Sequence, residues 1–228
     1  MLVKKLSTED SRLFNLINTG EARLHFSQLG EDAVLWHHFG TNMNGFYVDV
    51  GCHHPYRFSN TALLATFNDW QGINVDLDER AIAAFRAIRP NDTNLNIAIG
   101  LTDGESTVTV FEEGAVNSLD PAMANHQAQT RAVKAKKMIR TRPLASVLQE
   151  HMPSGIEIDF MNIDAEGWDQ IVLESNDWER YRPKVIAVES HGFNLNNPQV
   201  NETFRFLVGK GYSLTSHVVV TSIYERVG

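Results

Sequence analysis

Short apolar runs alternate along the chain with stretches whose apolar residues recur at helical spacing. In residues 79–90, Ile82, Phe85 and Ile88 stand three apart, which predicts an amphipathic helix that ends before Pro90. Strands are predicted over residues 46–50, 72–78, 94–100, 156–167 and 183–191, and helices over residues 26–39, 59–70, 79–89, 144–151 and 168–175. Strands that alternate with helices predict a mostly parallel sheet covered by helices on both faces.

The same patterns predict helix starts and further elements. Ser27 is a candidate N-cap for the first of these helices, and Ser59 or Asn60 for the second. The Asp103-Gly104 turn before the alternating segment STVTVFE resembles a hairpin signal and predicts an added strand. The remaining predicted elements are a weak helix over residues 6–20, a strand over 138–143, a helix over about 200–210 and one or two closing strands over 212–227.

The length of 228 residues fits one large α/β domain better than two. We assign residues 1–40 to an N-terminal helical segment and residues 41–228 to the main domain. Residues 112–135 are polar and irregular, which makes them a long insertion for a compact domain. Such insertions often form lids or substrate loops.

Composition and charge exclude several classes of protein. Hydrophobic residues make up 43% of the chain, enough for a sizeable core, and the formal net charge of -8 argues against a general nucleic-acid footprint. The basic stretch at 131–142 is interpreted as a solvated strand face, with a patch for an anionic substrate as the alternative. The single cysteine, Cys52, permits no internal disulfide, and we see no apolar run of membrane-helix or signal length, so a cytoplasmic protein is expected.

Acidic side chains stand at the carboxyl ends of four predicted strands. They are Asp49, Asp76 with Asp78, Asp164 with Glu166, and Glu189, which is followed closely by His191. A random arrangement would scatter acids over both edges of the sheet. Because open parallel sheets bind their ligands outside the carboxyl ends of the strands, we expect an acid-rimmed site at this edge.

The turn after the first strand, DVGCHHP at residues 49–55, disfavours a phosphate-bearing cofactor. A dinucleotide site needs a turn such as G-x-G-x-x-G, whereas this turn has one glycine, and Pro55 offers no N–H. S-adenosylmethionine, which carries an ammonium, a sulfonium and two ribose hydroxyls, suits an acidic rim better. Asp49 would face the ammonium, Gly51 would permit close backbone approach, and Asp76 would accept both ribose hydroxyls.

Several segments resemble the FkbM-type methyltransferases in their order and spacing. They are FSQLGEDAVL, FYVDVGCHHPYRFSNT, GINVDLD, NIAIG with a following DG, IDFMNIDAEGWD and KVIAVESH, within about residues 25–193. The resemblance implies the class I methyltransferase fold, a Rossmann-like α/β three-layer sandwich whose mostly parallel sheet has a reversed strand near the C-terminus. It also implies S-adenosylmethionine-dependent O-methylation of a hydroxyl, often on a sugar of a natural product, glycolipid or surface glycan.

The family's cofactor contacts carry over to particular positions of this chain. They fall on Asp49, Gly51 and the backbone of Cys52 and His53 at the methionyl side, Asp76 at the ribose, Asn96, Ile97 and Ala98 near the adenine, and Gln28 and Glu31 in the upstream helix. The chain departs from the family in Cys52, His53 and His54, where small or amide residues are typical. It also has Asp76 where glutamate is commoner, a swap that shortens the reach to the ribose.

Methyl transfer to a sugar hydroxyl needs a base or a metal to activate the oxygen. His191 is the leading candidate for the general base, with Glu189 or Glu166 orienting it or holding the acceptor. Asp164 is expected to contact the cofactor or the acceptor. The alternative is Mg²⁺ or Mn²⁺ held by Asp164, Glu189 and His191, because oxygen ligands with one imidazole suit these ions.

Two other functions stay open from the sequence alone. An NAD-dependent oxidoreductase is disfavoured by the single-glycine turn, and a non-catalytic cofactor-binding domain is disfavoured by the acids kept at four strand ends. The expected acceptor is a small molecule or glycan with a free hydroxyl, and contact of His53 or His54 with it is left open. A homodimer is also left open, since closing strands and lids are common places for contacts between two copies.

Overall fold

A seven-stranded sheet forms the centre of the structure, a computed structural model that describes residues 15–17, 19–40, 42–112 and 114–228. Its strands lie in the order β3 (Thr93–Asn96), β2 (Gln71–Asp76), β1 (Phe46–Val50), β7 (Phe160–Ile163), β8 (Val185–Glu189), β10 (Thr221–Arg226) and β9 (Tyr212–Val218). Neighbouring strands pair in parallel from β3 to β8, and β10 runs antiparallel to both β8 and β9. The predicted parallel sheet with a reversed strand near the C-terminus is confirmed.

Helices cover both faces of this sheet. They are α1 (Glu31–Phe39), α2 (Ala62–Phe67), α3 (Glu79–Ile88), α4 (Pro121–Gln127), α5 (Leu144–His151), α6 (Asp169–Glu174) and α7 (Glu202–Gly209). Because successive strand residues point to opposite faces, Val48 joins an apolar cluster with residues of α5, α6 and α7, while Tyr47 joins one with Leu35 of α1 and Leu64 of α2. All five residues of β1 are therefore buried, and the fold has three layers.

The part of the described chain that connects α3 to α5 in sequence forms a smaller three-stranded sheet. It consists of β4 (Ala98–Ile99), β6 (Val133–Arg142) and β5 (Gly104–Phe111), in that spatial order. The added strand after the Asp103-Gly104 turn is confirmed as β5. The single strand predicted over residues 94–100 is wrong, because the chain leaves the main sheet at Ile97 and β4 pairs with β6. The strand predicted over residues 138–143 starts earlier, at Val133, and carries most of the basic stretch on exposed positions.

The start of the first helix differs from the prediction. Helix α1 begins at Glu31, and Gly30, with φ 101°, occupies its N-cap position. The N-cap assignment of Ser27 is wrong, because Ser27 lies in the turn before Gly30. From there its hydroxyl donates to the carboxylate of Asp32 (2.7 Å) and its oxygen accepts from the N–H groups of Gly30 (3.2 Å) and Asp32 (3.3 Å). Of the weak helix predicted over residues 6–20, residues 6–14 and 18 lie outside the described residues, and residues 15–17 are helical.

The cap predicted for the second helix is also displaced. Helix α2 begins at Ala62 with Thr61 at the N-cap position, so neither Ser59 nor Asn60 is its cap. The Asn60 amide instead donates to the side-chain oxygen of Asn162 in β7 (2.9 Å). This contact ties the segment after β1 to the end of a neighbouring strand. The predicted helix near residues 200–210 and the two closing strands are confirmed by α7, β9 and β10.

Candidate functional site

A cavity opens at the carboxyl ends of β1, β2, β7 and β8. It encloses about 930 Å³ of space, a volume that includes the solvent at its open mouth. Most of the residues that the sequence singled out line it: Gln28, Asp49, Gly51, Cys52, His53, Asp76, Ile97, Ala98, Asp164, Glu166 and Glu189. The expectation that the strand-end acids meet at one edge of the sheet therefore agrees with the geometry.

Three predicted site residues lie outside this lining. Glu31 is buried, and its carboxylate accepts hydrogen bonds from the Thr221 hydroxyl (3.2 Å) and the Leu29 N–H (2.9 Å), so it joins α1 to β10. The Asn96 amide donates to the backbone oxygen of Asp76 (3.0 Å). His191, the third, contacts Glu189. A direct cofactor role for Glu31 or Asn96 stays a prediction.

Asp49 is held from two sides at the end of β1. Its two carboxylate oxygens accept hydrogen bonds from the Thr61 hydroxyl (2.8 Å) and the Asn162 amide (2.9 Å). The guanidinium of Arg89, which is itself buried, donates to the same Thr61 oxygen (2.9 Å). Burial raises the pKa of Asp49, and the two donors oppose that rise. Thr61, Asn162 and Arg89 thus orient the carboxylate, and sequence reasoning did not identify any of the three.

Gly51 is required where the turns after β1 and β7 meet. Its φ is +79°, and a Cβ built on it would stand 1.7 Å from the backbone oxygen of Asp164. A side chain would therefore push the two turns apart and widen the cavity floor. The amides of Gly51 and Cys52 both donate to the oxygen of Val75 in β2, which fixes the turn against the neighbouring strand.

Gly51→Ala should destabilise the fold much more than Gly155→Ala, which is its matched control. Gly155 has nearly the same φ, +77°, but nothing lies within 4 Å of its added Cβ. We expect Gly155→Ala to lower the free energy of unfolding by about 1–2 kcal/mol, because alanine is strained in left-handed backbone. Gly51→Ala should lower it by roughly 2–5 kcal/mol, because its Cβ also overlaps the backbone oxygen of Asp164. Urea unfolding of the two variants and the parent measures both. Equal free energies of unfolding for the two variants would contradict the close approach.

Asp76 ends β2 with its carboxylate at the cavity. One oxygen accepts from the N–H of His53 (2.8 Å) and the other from the N–H of Asp78 (2.7 Å). A carboxylate has about four acceptor positions, so each oxygen keeps one for a ligand hydroxyl. Burial raises the pKa of Asp76 to about 6, against the opposing effect of the two backbone donors. Asp78 itself caps α3 by accepting from the Arg80 N–H (3.0 Å).

Three residues around the cavity adopt left-handed backbone although they are not glycine. These are His53 (φ 51°), Phe58 (φ 60°) and Glu166 (φ 51°). Such conformations are uncommon outside glycine, asparagine and aspartate, and they concentrate at functional sites. Around Glu166 the surrounding structure holds the conformation, because the Ser118 hydroxyl donates to its backbone oxygen (2.7 Å) and the Gln127 amide approaches its carboxylate (3.5 Å). The insertion that contains α4 therefore packs over this turn.

Three carboxyl groups at one end of the cavity raise each other's pKa values. Burial and the charge of Asp164 raise the pKa of Glu166 to about 8, and burial and the charge of Glu166 raise the pKa of Glu189 to about 8. Burial and the charge of Glu189 raise the pKa of Asp164 well above its ordinary value. Like charges in a shared site resist joint ionisation, so this end of the cavity favours protons or another cation.

Folding stability should fall as the pH rises from about 5 to 8, because Glu166 and Glu189 hold protons more tightly in the folded protein. Their pKa values are about 8 in the fold against an ordinary 4.5, so their contribution is full below 4.5 and lost above 8. Glu166→Gln should flatten this decline, and Glu179→Gln, at an exposed position, should leave it unchanged. Urea unfolding at several pH values measures the slope. An identical slope in the parent and Glu166→Gln would contradict the raised pKa.

Glu189 joins His191 to the cavity. The Nε2 atom of His191 lies 2.9 Å from the Oε1 atom of Glu189, and the two side chains are 56% and 13% exposed. Glu189 lines the cavity while His191 faces solvent. The described residues contain no group of three or more histidine, cysteine, aspartate or glutamate side chains arranged to hold a metal ion. The set of Asp164, Glu189 and His191 proposed for Mg²⁺ or Mn²⁺ thus has no support from the geometry.

The cavity combines many carboxyl groups with uncharged polar side chains. Its described lining contains five acids and no lysine or arginine. These carboxylates would repel a bound pyrophosphate, and no lysine or arginine of the described lining would offset its negative charge. They would attract a positively charged ligand. The donor set therefore fits the ammonium, sulfonium and ribose of S-adenosylmethionine.

Comparison with known families identifies the chain. The family model described as the methyltransferase FkbM domain matches residues 49–214, well over half of the chain. The chain belongs to the FkbM methyltransferase family. This membership makes the protein a methyltransferase and confirms both the resemblance and the class I-like fold. No curated protein matches this FkbM chain with significant similarity. Within its described part, no helix is long and apolar enough to cross a membrane.

Proposed function

We propose that this FkbM methyltransferase uses S-adenosylmethionine to methylate a hydroxyl group of a sugar or a glycoside. The observation that carries the proposal is the cavity lined by five carboxyl groups without lysine or arginine among its described residues. Such a lining stabilises a cationic methyl donor and disfavours the pyrophosphate of a dinucleotide. The family membership supports the transfer of a methyl group.

The residues that would hold the cofactor follow the cavity from β1 to β4. Asp49 and the backbone after Gly51 would face the methionyl end, Asp76 would accept the ribose hydroxyls, and Ile97 and Ala98 would flank the adenine. When bound, the cofactor supplies a methyl group activated by a sulfonium. The protein's own part is to orient that ligand, to exclude water and to remove the proton of the acceptor.

The sequence predicts His191 as the base, and we propose Glu189 in its place, because Glu189 lines the cavity whereas His191 lies outside the lining. Its pKa is raised to about 8, so its ionised form, which predominates above that pH, is a stronger base than an ordinary glutamate. With the cofactor bound, Glu189 would take the proton of the hydroxyl while the acceptor oxygen forms its bond to the methyl carbon and the sulfur–methyl bond breaks, with S-adenosylhomocysteine as the leaving group. His191, 2.9 Å from Glu189 and exposed to solvent, then receives the proton and releases it. In this scheme His191 acts through Glu189, and Asp164 and Glu166 favour the cationic ligand.

Uncharged polar groups and one aromatic ring support a sugar-like acceptor. Gln28 and Asn60 line the cavity and offer hydrogen-bond donors and acceptors to a molecule rich in hydroxyls. Phe58 stands at the same cavity with its side chain 43% exposed. A ring at this position can pack against the apolar face of a pyranose.

Methyl transfer from labelled S-adenosylmethionine to nucleotide sugars, glycosides and glycolipids tests the proposed function. We expect label in at least one hydroxyl-bearing acceptor, bound as a methyl ether that survives mild alkali. A methyl ester would release its label under the same treatment, and an N-methyl product would require an amine in the acceptor. Transfer to carboxylates or amines alone would contradict the assignment to hydroxyls.

A further inference from the structure

Asp49, the acid at the end of β1, is almost closed to a ligand. It is 1% exposed, and each of its carboxylate oxygens already accepts a hydrogen bond, one from Thr61 and one from Asn162. The charge of Asp49 still acts across the cavity, because electrostatic attraction needs no direct contact. A hydrogen bond to a bound ammonium, however, requires an acceptor that the ligand can reach.

A chain of two amides leads from Asp49 to the cavity. The Nδ2 atom of Asn162 donates to the Oδ1 atom of Asp49 (2.9 Å), and the Nδ2 atom of Asn60 donates to the Oδ1 atom of Asn162 (2.9 Å). Because an ionised carboxylate can only accept, Asn162 must turn its Nδ2 atom to Asp49 and its Oδ1 atom to Asn60. The amide of Asn60 is fixed in turn, so its oxygen and nitrogen cannot exchange places.

Asn60 presents the free acceptor of this chain to the cavity. The residue is half-buried and lines the cavity, and its Oδ1 atom has no hydrogen-bond partner among the described residues and keeps access to solvent. The buried guanidinium of Arg89 holds the surrounding segment, since it donates to the Thr61 hydroxyl and to the backbone oxygen of Pro55. The oxygen of Asn60 is therefore a reachable acceptor in a fixed position.

The surroundings of this oxygen favour a positively charged donor. Asp49, Asp164 and Glu189 line the same cavity, and its described lining has no lysine or arginine. Charge-assisted hydrogen bonds are stronger than neutral ones, and nearby carboxylates stabilise the cation further. In S-adenosylmethionine only the amino group combines N–H donors with a positive charge, because the sulfonium has no N–H and the ribose hydroxyls are neutral.

We propose that the Asn60 Oδ1 atom, and not the Asp49 carboxylate, accepts a hydrogen bond from the amino group of the bound cofactor. This inference rests on the proposed use of S-adenosylmethionine and reassigns the contact at its methionyl end. Asp49 is then a positioning residue, which orients Asn60 through Asn162 and adds its charge to the site.

Calorimetric titration with S-adenosylhomocysteine and with its deaminated analogue tests this contact. The analogue has hydrogen in place of the amino group and is otherwise identical. For the unmodified protein we expect the analogue to bind about 10- to 100-fold more weakly, the effect of losing a hydrogen bond to a charged group. Asn60→Ala should bind S-adenosylhomocysteine about tenfold more weakly and the analogue within about twofold of the unmodified protein, so its discrimination falls about tenfold.

Asp49→Asn separates the two candidate contacts. Its amide oxygen can still accept from Asn162 and its amide nitrogen can donate to the Thr61 oxygen, so the orientation of Asn60 is kept. We expect this variant still to prefer S-adenosylhomocysteine by at least about fivefold. If Asp49→Asn lost the preference while Asn60→Ala kept it, the contact would belong to Asp49 and the inference would be overturned.

Asn91→Ala is the matched control, because Asn91 is an exposed asparagine. It should bind both ligands as the unmodified protein does. Equal affinity of the unmodified protein for the two ligands would overturn the inference, and this result needs no variant to fold. An equal loss of affinity for both ligands in Asn60→Ala, or no loss for either, would overturn it as well. Failure of the unmodified protein to bind S-adenosylhomocysteine at all would instead refute the proposed function, and this contact with it.

Discussion

Replacing Glu189 with glutamine should lower kcat by about 10²–10⁴-fold and leave the affinity for S-adenosylhomocysteine within about twofold. Glutamine keeps the size and the polar contacts of the side chain but cannot accept the proton of the acceptor hydroxyl. Glu189 lines the cavity and contacts His191, which lies outside the lining and faces solvent. Initial rates with labelled cofactor and calorimetric titration measure the two quantities separately.

Glu179→Gln is the control for this substitution, since Glu179 is exposed and its loss of charge should not change the rate. His191→Ala should also lose most of the turnover while it keeps the cofactor affinity, because Glu189 then lacks the group that receives its proton. Unchanged kcat in Glu189→Gln would remove Glu189 from the role of base. Unchanged kcat in His191→Ala would remove His191 from the proton path.

Asp76→Ala should weaken the binding of S-adenosylhomocysteine by about 10- to 100-fold, which corresponds to the loss of hydrogen bonds to a charged acceptor. Asp76 is the one residue of β2 in the described cavity lining whose side chain has hydrogen-bond acceptors. The substitution also removes the acceptor for the His53 and Asp78 amides, so the turn after β1 loses one of its supports. Calorimetry gives the affinity, and urea unfolding shows how much of the effect is structural.

Asp103→Ala provides the comparison for Asp76→Ala. Asp103 is an exposed acid near the start of β5, and its removal changes the net charge equally. It should bind the ligand as the unmodified protein does. If the two variants bound S-adenosylhomocysteine with equal affinity, the ribose assignment would be contradicted. The effect of Asp76→Ala would then be explained by the change in net charge alone.

The sheet was predictable because its strands are buried on both faces. Runs such as FYVDV and KVIAVE have no polar face, and amphipathic helices such as α3 separate them along the chain, which leaves few arrangements apart from a covered parallel sheet. The break at Ile97 was not predictable, because NLNIAIG is a continuous β-like run. Only the pairing of Ala98 and Ile99 with β6 shows that the chain changes sheets there.

The acids of the site were predictable because their positions follow from the strand ends. Their supporting groups were harder to find. The sequence does single out Asn162, because an amide in the buried run FMNI needs a hydrogen-bond partner. In the structure that partner is Asp49. In the sequence, Thr61 is an ordinary residue before a helix. Only the structure shows that Arg89, at the C-terminal end of α3, donates a hydrogen bond to its hydroxyl oxygen.

Calorimetric titration of the protein with S-adenosylhomocysteine and, in parallel, with NAD⁺ tests the central claim most directly. The claim is that the carboxyl groups gathered at the strand ends form a site for an adenosyl methyl donor and not for a dinucleotide. We predict a dissociation constant in the micromolar range for S-adenosylhomocysteine and no measurable heat for NAD⁺. Heat from NAD⁺ without heat from S-adenosylhomocysteine would contradict the account.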